Sequence, residues 1–310
     1  NSALLANDAD SGGGLYAAGS STTISNSTFT ANAASFGGAI DNEWNLTLVN
    51  STVSGNSATD YGGGIYNFGY LTLINNTISD NEAMFGGGVF SEGLAEGEGD
   101  PSENATLTFV NTIIANSING GDCVNSLGII EDNGHNLIGD GALVVDGGCL
   151  DNATSQGGEP WLARLDYYGG LSTGSGVDVL QTHELLPNSP ALNAGDDAYC
   201  PATDQRGFPR LGLCDMGAVE SQGFSINIAG GDQQTTLVDT AFPDPLDVSL
   251  NANNDYLVVG EGQIVTFTAP SSGASLTTPI FTGTTDVDNW ISIPVIANSV
   301  AGRYAVTATV

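Results

Sequence analysis

Short apolar runs alternate with breaks rich in glycine and asparagine, and the same phrase recurs along the first third of the chain. Segments 11–32, 36–56 and 60–81 read SGGGLYAAGSSTTISNSTFTAN, FGGAIDNEWNLTLVNSTVSGN and DYGGGIYNFGYLTLINNTISDN. Apolar and polar residues alternate within them, as in LTL at 46–48 and again at 71–73. Such period-two runs indicate short β-strands with one buried face. No stretch carries a 3.6-residue apolar stripe long enough for a helix, so the pattern predicts an all-β chain.

The repeat length points to the architecture. The aliphatic residue that follows each glycine-rich run recurs at intervals of 25, 25 and 24 residues, and a fixed period is typical of a solenoid. A period of about 25 residues suits one coil of a parallel β-helix with three short strands, each coil rising by roughly 4.8 Å. Stacked coils predict an interior ladder, with a second one beside it. The first contains Leu15, Ile40, Ile65 and Val89, and the second contains Phe29, Val53, Ile78 and Ile113.

Asparagine recurs in each repeat, at Asn26, Asn50 and Asn75. We expect these three side chains to stack as an amide ladder at a turn, each bonding the next. Asparagine also opens six Asn-X-Ser/Thr sequons, which predict N-glycosylation. The alternative is that these triplets supply turn conformations that the coil needs, and three of the six lie in the repeat itself. The sequons begin at Asn26, Asn45, Asn50, Asn75, Asn104 and Asn152.

After Val89 the repeat is interrupted by about ten extra residues within SEGLAEGEGDPSENA at 91–105. Insertions in a solenoid commonly form loops on one face. Glu96, Glu98 and Asp100 offer the oxygen ligands that calcium prefers, although their spacing is not that of an EF-hand. A solvated acidic loop without a bound ion is the alternative. We expect no required cofactor and name calcium as the one candidate ion.

The charge balance is strongly acidic. The 310 residues include 35 Asp and Glu against four arginines and no lysine, for a net charge of −31 at pH 7. Binding to nucleic acid or insertion into an anionic membrane surface is disfavoured, because either contact would be repulsive. No run of 18 apolar residues predicts a membrane-spanning helix. Because the first residues align with the middle of a repeat, we expect a processed or partial chain.

Four cysteines form two local pairs, Cys123 with Cys149 and Cys200 with Cys214, and neither spacing resembles a CxxC motif. The preferred interpretation is two disulfides in an exported protein. The alternative is four reduced cysteines in a cytosolic chain.

The segment SPALNAGD at 189–196, followed by CPATDQRGFPRLGLCDMGAVE at 200–220, resembles the choice-of-anchor Q module. This module closes exported bacterial β-helix proteins that are similar to polymorphic outer-membrane and adhesin-like proteins. The resemblance covers roughly residues 1–221. It implies a right-handed parallel β-helix and a surface or secreted location, and it implies no known catalysis. Regular coils are expected over 1–118, with irregular coils and a disulfide-stapled cap over 119–221.

The same closing segment contains two of the four arginines beside three carboxylates. A guanidinium can bind a carboxylate with two parallel bonds, so we expect these groups to tie a loop across the end of the coil stack. Such a cap would protect the unpaired strand edges of the last coil. A ligand site is the alternative for these groups. The predicted ion-pair residues are Asp204, Arg206, Arg210, Asp215 and Glu220.

Residues 222–310 change in character. Short alternating runs separated by Gly or Pro, with no cysteine, predict a small β-sandwich. VTFTAP at 265–270 and GRYAVTATV at 302–310 resemble the bacterial Ig-like modules of invasin and intimin type.

Catalysis is not favoured by the sequence. A polysaccharide lyase needs a cationic base, and the chain has no lysine. A glycoside hydrolase needs two carboxylates at a defined separation in a groove. The acidic residues of the repeats show no concentrated cluster backed by aromatic platforms, and His135 and His183 are isolated. The acidic residues considered are Asp41, Glu43, Asp60, Asp80 and Glu82.

A structural or adhesive role fits these patterns better. We expect a non-catalytic extracellular surface protein that binds other surface proteins or glycans. It is also expected to assemble head-to-tail into a filament or sheath through its β-helix ends and Ig-like domain. The alternative is a polysaccharide-binding or polysaccharide-cleaving β-helix.

Overall fold

The computed structural model describes residues 1–94, 104–139, 148–150, 152–170 and 180–310. Strands, turns and loops account for all of them, which confirms the predicted all-β class. No helix capable of crossing a membrane occurs in these ranges. The chain divides into two compact units. The first contains Asn1–Leu185 and Ser189–Ser221, and the second contains Leu186–Asn188 and Gln222–Val310.

The first unit is a parallel β-solenoid, as predicted. Its described strands are β1 (Ala3–Leu5), β2 (Leu15–Ala17), β3 (Thr22–Ser25), β4 (Thr28–Thr30), β5 (Ala33–Phe36), β6 (Ile40–Asn42), β7 (Asn45–Val49), β8 (Thr52–Ser54), β9 (Ser57–Tyr61), β10 (Ile65–Asn67), β11 (Tyr70–Ile74), β12 (Thr77–Ser79), β13 (Val89–Glu92), β14 (Thr106–Val110), β15 (Ile113–Ala115), β16 (Cys123–Ser126), β17 (Ile129–Asp132), β18 (Leu137–Ile138) and β19 (Gln156–Gly157). They form about five turns of about 25 residues.

Each turn visits three parallel sheets in succession. Sheet 1 has the order β1-β4-β8-β12-β15-β18-β19, sheet 2 has β2-β6-β10-β13-β16, and sheet 3 has β3-β7-β11-β14-β17. The short pair β5-β9 lies between sheets 1 and 2 along the turn. The passage into sheet 2 is tight: a Cβ on Gly63 would lie 2.3 Å from the backbone oxygen of Glu82 in the next turn. Glycine is therefore required where successive turns approach closely.

Aliphatic residues stack in register inside the solenoid. Ile40, Ile65 and Val89 are aligned across sheet 2 and are fully buried, while Leu15 at the first turn is partly buried. In sheet 1 the buried row is Phe29, Val53, Ile78 and Ile114.

The prediction of Ile113 for this second ladder was wrong. Ile113 pairs with Thr77 and lies on the outer face of sheet 1, while Ile114 continues the interior row. The insertion after Val89 obscured the alignment. Equivalent positions before and after it are one residue further apart in the sequence than the recurring threonines indicate.

An amide ladder exists, but not at the predicted asparagines. Asn7 donates from Nδ2 to Asn32 Oδ1 at 2.8 Å, Asn32 donates to Asn56 at 2.9 Å, and Asn56 donates to Asn81 at 3.0 Å. Asn32, Asn56 and Asn81 are buried and also receive or donate backbone bonds in neighbouring turns. The ladder satisfies polar backbone groups at one corner of each turn.

Asn26, Asn50 and Asn75 instead occupy the corner before sheet 1, with left-handed backbone φ values of 50°, 45° and 51°. Asparagine tolerates this conformation better than most residues. Asn50 donates to the backbone oxygen of Thr203, and Asn75 donates to that of Asp215. No hydrogen bond joins Asn26, Asn50 and Asn75 to one another, so the prediction that each bonds the next was wrong for these three, although Asn75 Oδ1 accepts from Asn111 Nδ2 in the following turn at 3.2 Å. Asn50 and Asn75 instead donate to a different part of the chain.

That other part consists of residues 180–185 and 189–221, here called the covering segment. It lies along the outer face of sheet 1. Thr28 Oγ1 donates to the backbone oxygen of Gln181 at 2.7 Å, and Thr52 Oγ1 donates to Gln205 Oε1 at 2.6 Å. Apolar residues of the segment also pack on the outer face of sheet 1. These contacts involve Leu185, Ala191, Met216 and Val219 on one side, and Ile113 and Leu137 on the other.

The covering segment therefore does not close the end of the stack, as the sequence had suggested. It covers the side of successive turns, from β4 to β18. The segment lies on this face because the outward threonine hydroxyls of sheet 1 need hydrogen-bond partners once they are buried.

The second unit contains β20 (Phe224–Gly230), β21 (Leu246–Ala252), β22 (Ile264–Thr268), β23 (Ile280–Thr284), β24 (Trp290–Ile293) and β25 (Thr307–Thr309). They form two three-stranded antiparallel sheets, β20-β21-β24 and β23-β22-β25. Val248, Leu250, Val265, Phe267 and Ile291 are buried in one cluster. This arrangement is consistent with the predicted β-sandwich.

Candidate functional site

A groove runs across the turns of the solenoid along the β5-β9 pair. Its volume is about 750 Å³. One lining position recurs in five turns through backbone pairing and is occupied by Asp8, Ala33, Ser57, Glu82 and Asn119. Small side chains keep the groove open, and hydroxyl, amide and carboxylate groups line it. Such a surface suits an extended polar ligand that lies parallel to the solenoid axis.

A row of aromatic side chains lies beside the groove. Phe36, Tyr61 and Phe85 occupy equivalent positions in three successive turns. The ring centroids of Phe36 and Tyr61 are 5.9 Å apart with an interplanar angle of 20°, and those of Tyr61 and Phe85 are 5.6 Å apart at 21°. Phe85 is about half exposed. The row therefore presents one ring per turn, stacked in the offset manner that aromatic pairs prefer.

A second row on the outer face of sheet 2 adjoins the first. It contains Tyr16, Asp41, Tyr66 and Phe90 in register. The Tyr66 and Phe90 rings are 6.1 Å apart at 11°. The two rows touch, since the centroids of Phe36 and Tyr66 are 5.6 Å apart. Asp41 thus stands inside an otherwise aromatic surface.

Asp41 is an unusual carboxylate. Its side chain is only 2% exposed although it lies on the outer face of the sheet. The nearby Ser11 hydroxyl opposes the rise of its pKa, and Oδ1 has no hydrogen-bond partner among the residues that the structure describes. Burial, together with the nearby charge of Glu43, raises the pKa of Asp41 to about 6. Desolvation favours the neutral acid, so this group costs free energy when it is ionised at neutral pH.

Two further carboxylates belong to this face. The Tyr16 hydroxyl donates to Glu43 and the Tyr66 hydroxyl donates to Glu92, both at 2.5 Å. The hydrogen bond to Glu43 raises the pKa of Tyr16. Burial and then the bond to Glu92 raise the pKa of Tyr66, with further contributions from the charges of Asp41 and Glu43. Both phenols therefore remain protonated donors within a strongly negative field.

The sequence interpretation missed this arrangement. Asp41 and Glu43 were considered, but no aromatic platform was expected beside them. The structure brings them to the aromatic rows, whereas Asp80 lies near His183 and Glu82 lies in the groove. The signal was present as an aromatic residue directly before three of the four glycine runs of the repeat, at intervals of 25 and 24 residues.

The predicted ion-pair residues of the closing motif meet in the covering segment. Arg206 is buried and binds both Asp204, with Nη2 2.7 Å from Oδ2, and Glu184. Its guanidinium also lies 4.9 Å from the centroid of the Phe208 ring. These buried charges are paired and hydrogen-bonded, as buried charges must be.

Arg210 makes the second ion pair. Its Nη1 lies 3.1 Å from Glu220 Oε2, and its Nη2 donates to Asn50 Oδ1 at 3.0 Å. Asp215 accepts backbone hydrogen bonds from Asn193 and Ser221, and burial raises its pKa to about 7, with Glu220 adding to the effect. The group fastens the covering segment to the solenoid and offers no open surface to a ligand.

The two histidines also serve this attachment. His183 is buried; its Nδ1 lies 2.7 Å from the backbone oxygen of Ala163, and its Nε2 lies 2.8 Å from Ser54 Oγ. Burial lowers the pKa of His183. Although a serine and a histidine are paired, both are buried, so this pair is not accessible as a nucleophile. His135 similarly bonds the backbone oxygen of Ala194 at 2.8 Å.

Both predicted disulfides form, Cys123 with Cys149 and Cys200 with Cys214. Among the six sequon asparagines only Asn45 is exposed. Asn50 and Asn75 are buried. Their Nδ2 atoms are engaged in hydrogen bonds, so glycosylation at these two would be incompatible with the folded chain. The remaining three, Asn26, Asn104 and Asn152, are half-buried.

The predicted calcium ligands Glu96, Glu98 and Asp100 lie outside the described residues. Within the described residues, no group of three or more His, Cys, Asp or Glu side chains is arranged to hold a metal ion.

Comparison with known proteins supports the fold. Residues 4–153 match the family model described as right handed beta helix region. The match, together with the parallel turns, supports a right-handed parallel β-helix protein, and the matched range contains the groove and both aromatic rows. Such proteins include pectate lyase-like enzymes and non-enzymes. No curated protein and no solved structure matches the chain.

Proposed function

We propose that this right-handed β-helix protein is a non-catalytic extracellular adhesive that binds an extended glycan along the groove. The observation that carries the proposal is the row of stacked rings beside the groove, one ring per turn. Successive turns are about 4.8 Å apart, which is close to the length of one pyranose unit in an extended chain. A row of aromatic rings offers an extended sugar chain an apolar contact in each turn, while the sugar hydroxyls bond to polar groups nearby.

The negative charge of the groove limits which glycans it can bind. Asp8, Asp10 and Glu82 line it, and the whole chain carries a net charge of −31. Like charges across an interface are strongly unfavourable. A neutral or cationic glycan is therefore the expected ligand, and a polyuronate is not.

An extracellular location and an adhesive role are parts of the same proposal. Two disulfides are weak support for an oxidising compartment. Assembly into filaments remains a separate prediction, and sedimentation at increasing protein concentration tests it: a single monomeric species throughout would exclude it.

Cleavage of the bound glycan is a second candidate function, favoured by one observation. A buried carboxyl group with a pKa of about 6, two residues before a second carboxylate, has the character of a general acid. Release of reducing ends from a bound neutral glycan would establish it. Binding without release would leave the adhesive function.

The binding proposal is tested by affinity electrophoresis and calorimetry against soluble neutral polysaccharides. Replacing Tyr61 with alanine removes the central ring of the row and is expected to weaken binding by roughly tenfold, since one aromatic contact is worth about 1–1.5 kcal/mol. Tyr199→Ala is the matched control, because Tyr199 is about half exposed but lies in the covering segment. Equal affinities of the Tyr61→Ala variant and the unmodified protein would contradict the proposed site.

A further inference from the structure

The Oδ1 atom of Asp41 is buried and has no hydrogen-bond partner among the described residues. Such atoms are rare in folded proteins, because an unpartnered buried acceptor costs about 1–3 kcal/mol. The cost is larger for a carboxylate that ionises. This atom lies on the outer face of sheet 2, where the second aromatic row touches the row beside the groove, so a partner from outside the chain can supply the missing hydrogen bond.

We propose that Asp41 and its aromatic neighbours bind a protonated primary amine carried by the glycan, so that the ligand is an amino sugar with a free amino group. The inference rests on the proposed function and specifies its ligand.

The chemistry of the surroundings favours an ammonium group. Asp41 stands between Tyr16 and Tyr66 in the second row, with Glu43 two residues further along the chain. The tyrosine hydroxyls already donate to Glu43 and Glu92, so they compensate part of the negative charge without a cation. An ammonium has three donors, and it is attracted both to carboxylates and to aromatic ring faces.

Other ligands fit less well. An anionic group would meet three carboxylates, and none of the four arginines belongs to the segment that forms this face. A metal ion needs several ligands converging on one point. Within the described residues no such group of acidic, histidine or cysteine side chains occurs. Of the ligands compared, a compact organic cation fits this aromatic and acidic surface best.

Because Asp41 is buried, a ligand reaches it only when a neighbouring side chain moves, and Tyr16 pairs with Asp41 in the adjacent turn. Asp41 is 2% exposed, whereas the Tyr16 side chain is half exposed and is bonded through its hydroxyl to Glu43. Side-chain rotation of an exposed residue takes place on the picosecond to nanosecond timescale, so this movement does not limit binding. Once Tyr16 has moved, Glu43 is also available to accept a hydrogen bond from the amine.

The test compares two short β-1,4-linked oligosaccharides of equal length, one of glucosamine and one of N-acetylglucosamine, by calorimetry at pH 7. The unmodified protein is expected to bind the amino oligosaccharide at least tenfold more tightly. Asp41→Asn keeps the shape of the side chain and removes its charge, so it is expected to abolish this preference. Asp288→Asn, an exposed position in the second unit, removes the same charge and is expected to keep the preference.

The outcomes separate the two proposals. Equal affinity for the two oligosaccharides, or a preference that survives Asp41→Asn, overturns the amine site while glycan binding stands. Absence of binding to both oligosaccharides also overturns the amine site. The glycan-binding function falls with it only if neutral polysaccharides fail to bind as well. A circular dichroism spectrum and melting curve of Asp41→Asn establish that the variant is folded.

Discussion

Replacing Asp41 with asparagine is expected to stabilise the folded chain at neutral and alkaline pH. The carboxyl group has a pKa of about 6 in the folded protein and 3.8 as its ordinary value, mainly because of burial. A shift of about two pK units corresponds to roughly 3 kcal/mol, since each unit is worth 1.36 kcal/mol. Solvent near this outer face screens part of the effect, so about 1–2 kcal/mol is the expected gain for the variant.

The direction of the pKa shift of Asp41 determines how stability changes with pH. A carboxyl group whose folded pKa is raised holds its proton more tightly in the folded state. The stabilisation that arises from this tighter proton binding is therefore present in full below about pH 3.8 and is lost as the pH rises through about 6. The charged and titratable groups near it are Glu43, Tyr16 and Tyr66, and the two tyrosines stay protonated across this range.

The assay is urea denaturation followed by circular dichroism at pH 4, 6 and 8. The unfolding free energy of Asp41→Asn should match that of the unmodified chain near pH 4 and exceed it by about 1–2 kcal/mol at pH 8. Asp10→Asn removes an exposed carboxylate from the same unit and should change stability by less than about 0.5 kcal/mol. A variant of Asp41 that is no more stable than the unmodified chain at pH 8 would refute the reasoning.

Two further predictions concern the buried polar groups. Arg206→Leu leaves the carboxylates of Asp204 and Glu184 buried without their cation. It should lower the unfolding free energy by about 3–5 kcal/mol in the same denaturation assay. A loss below about 1 kcal/mol would show that the ion pairs are not needed to hold the covering segment. Asn56→Ala interrupts the amide ladder and removes the side-chain donor to the Phe29 backbone oxygen. A loss of about 3 kcal/mol is expected, against less than about 0.5 kcal/mol for the exposed Asn45→Ala. Similar losses for the two asparagine variants would argue against a structural role for the ladder.

The parts of the structure that the sequence predicted are those in which neighbours in space are related by a simple rule along the chain. Residues one repeat apart lie on adjacent turns, so the period of about 25 predicts which aliphatic side chains stack, such as Ile40 on Ile65. Cys200 and Cys214 are similarly close in sequence, and their pairing was predicted. The rule failed at Ile113, where an insertion changed the step between turns by one residue.

The candidate site was only partly predictable. The recurring aromatic residues and acidic residues are visible in the sequence, but their relation depends on which rows of adjacent sheets touch. Phe36 lies before sheet 2 and Tyr66 lies within it, one turn further on, yet their rings are 5.6 Å apart. The burial of Asp41 among such rings depends on these contacts between rows, which hydrophobic periodicity alone does not encode.

By itself, the sequence determined the all-β class, the parallel solenoid with its repeat and the local disulfides, because each depends on spacings within about one turn of the chain. Only the tertiary structure decided where the covering segment lies and which environment each outward side chain has. Gln205 donates to Thr28 Oγ1 across 177 residues, and no periodic pattern links two such positions. Contacts of this kind follow from complementary surfaces that exist only after the turns have stacked, and they determine both the buried face of sheet 1 and the open aromatic face that we propose binds glycans.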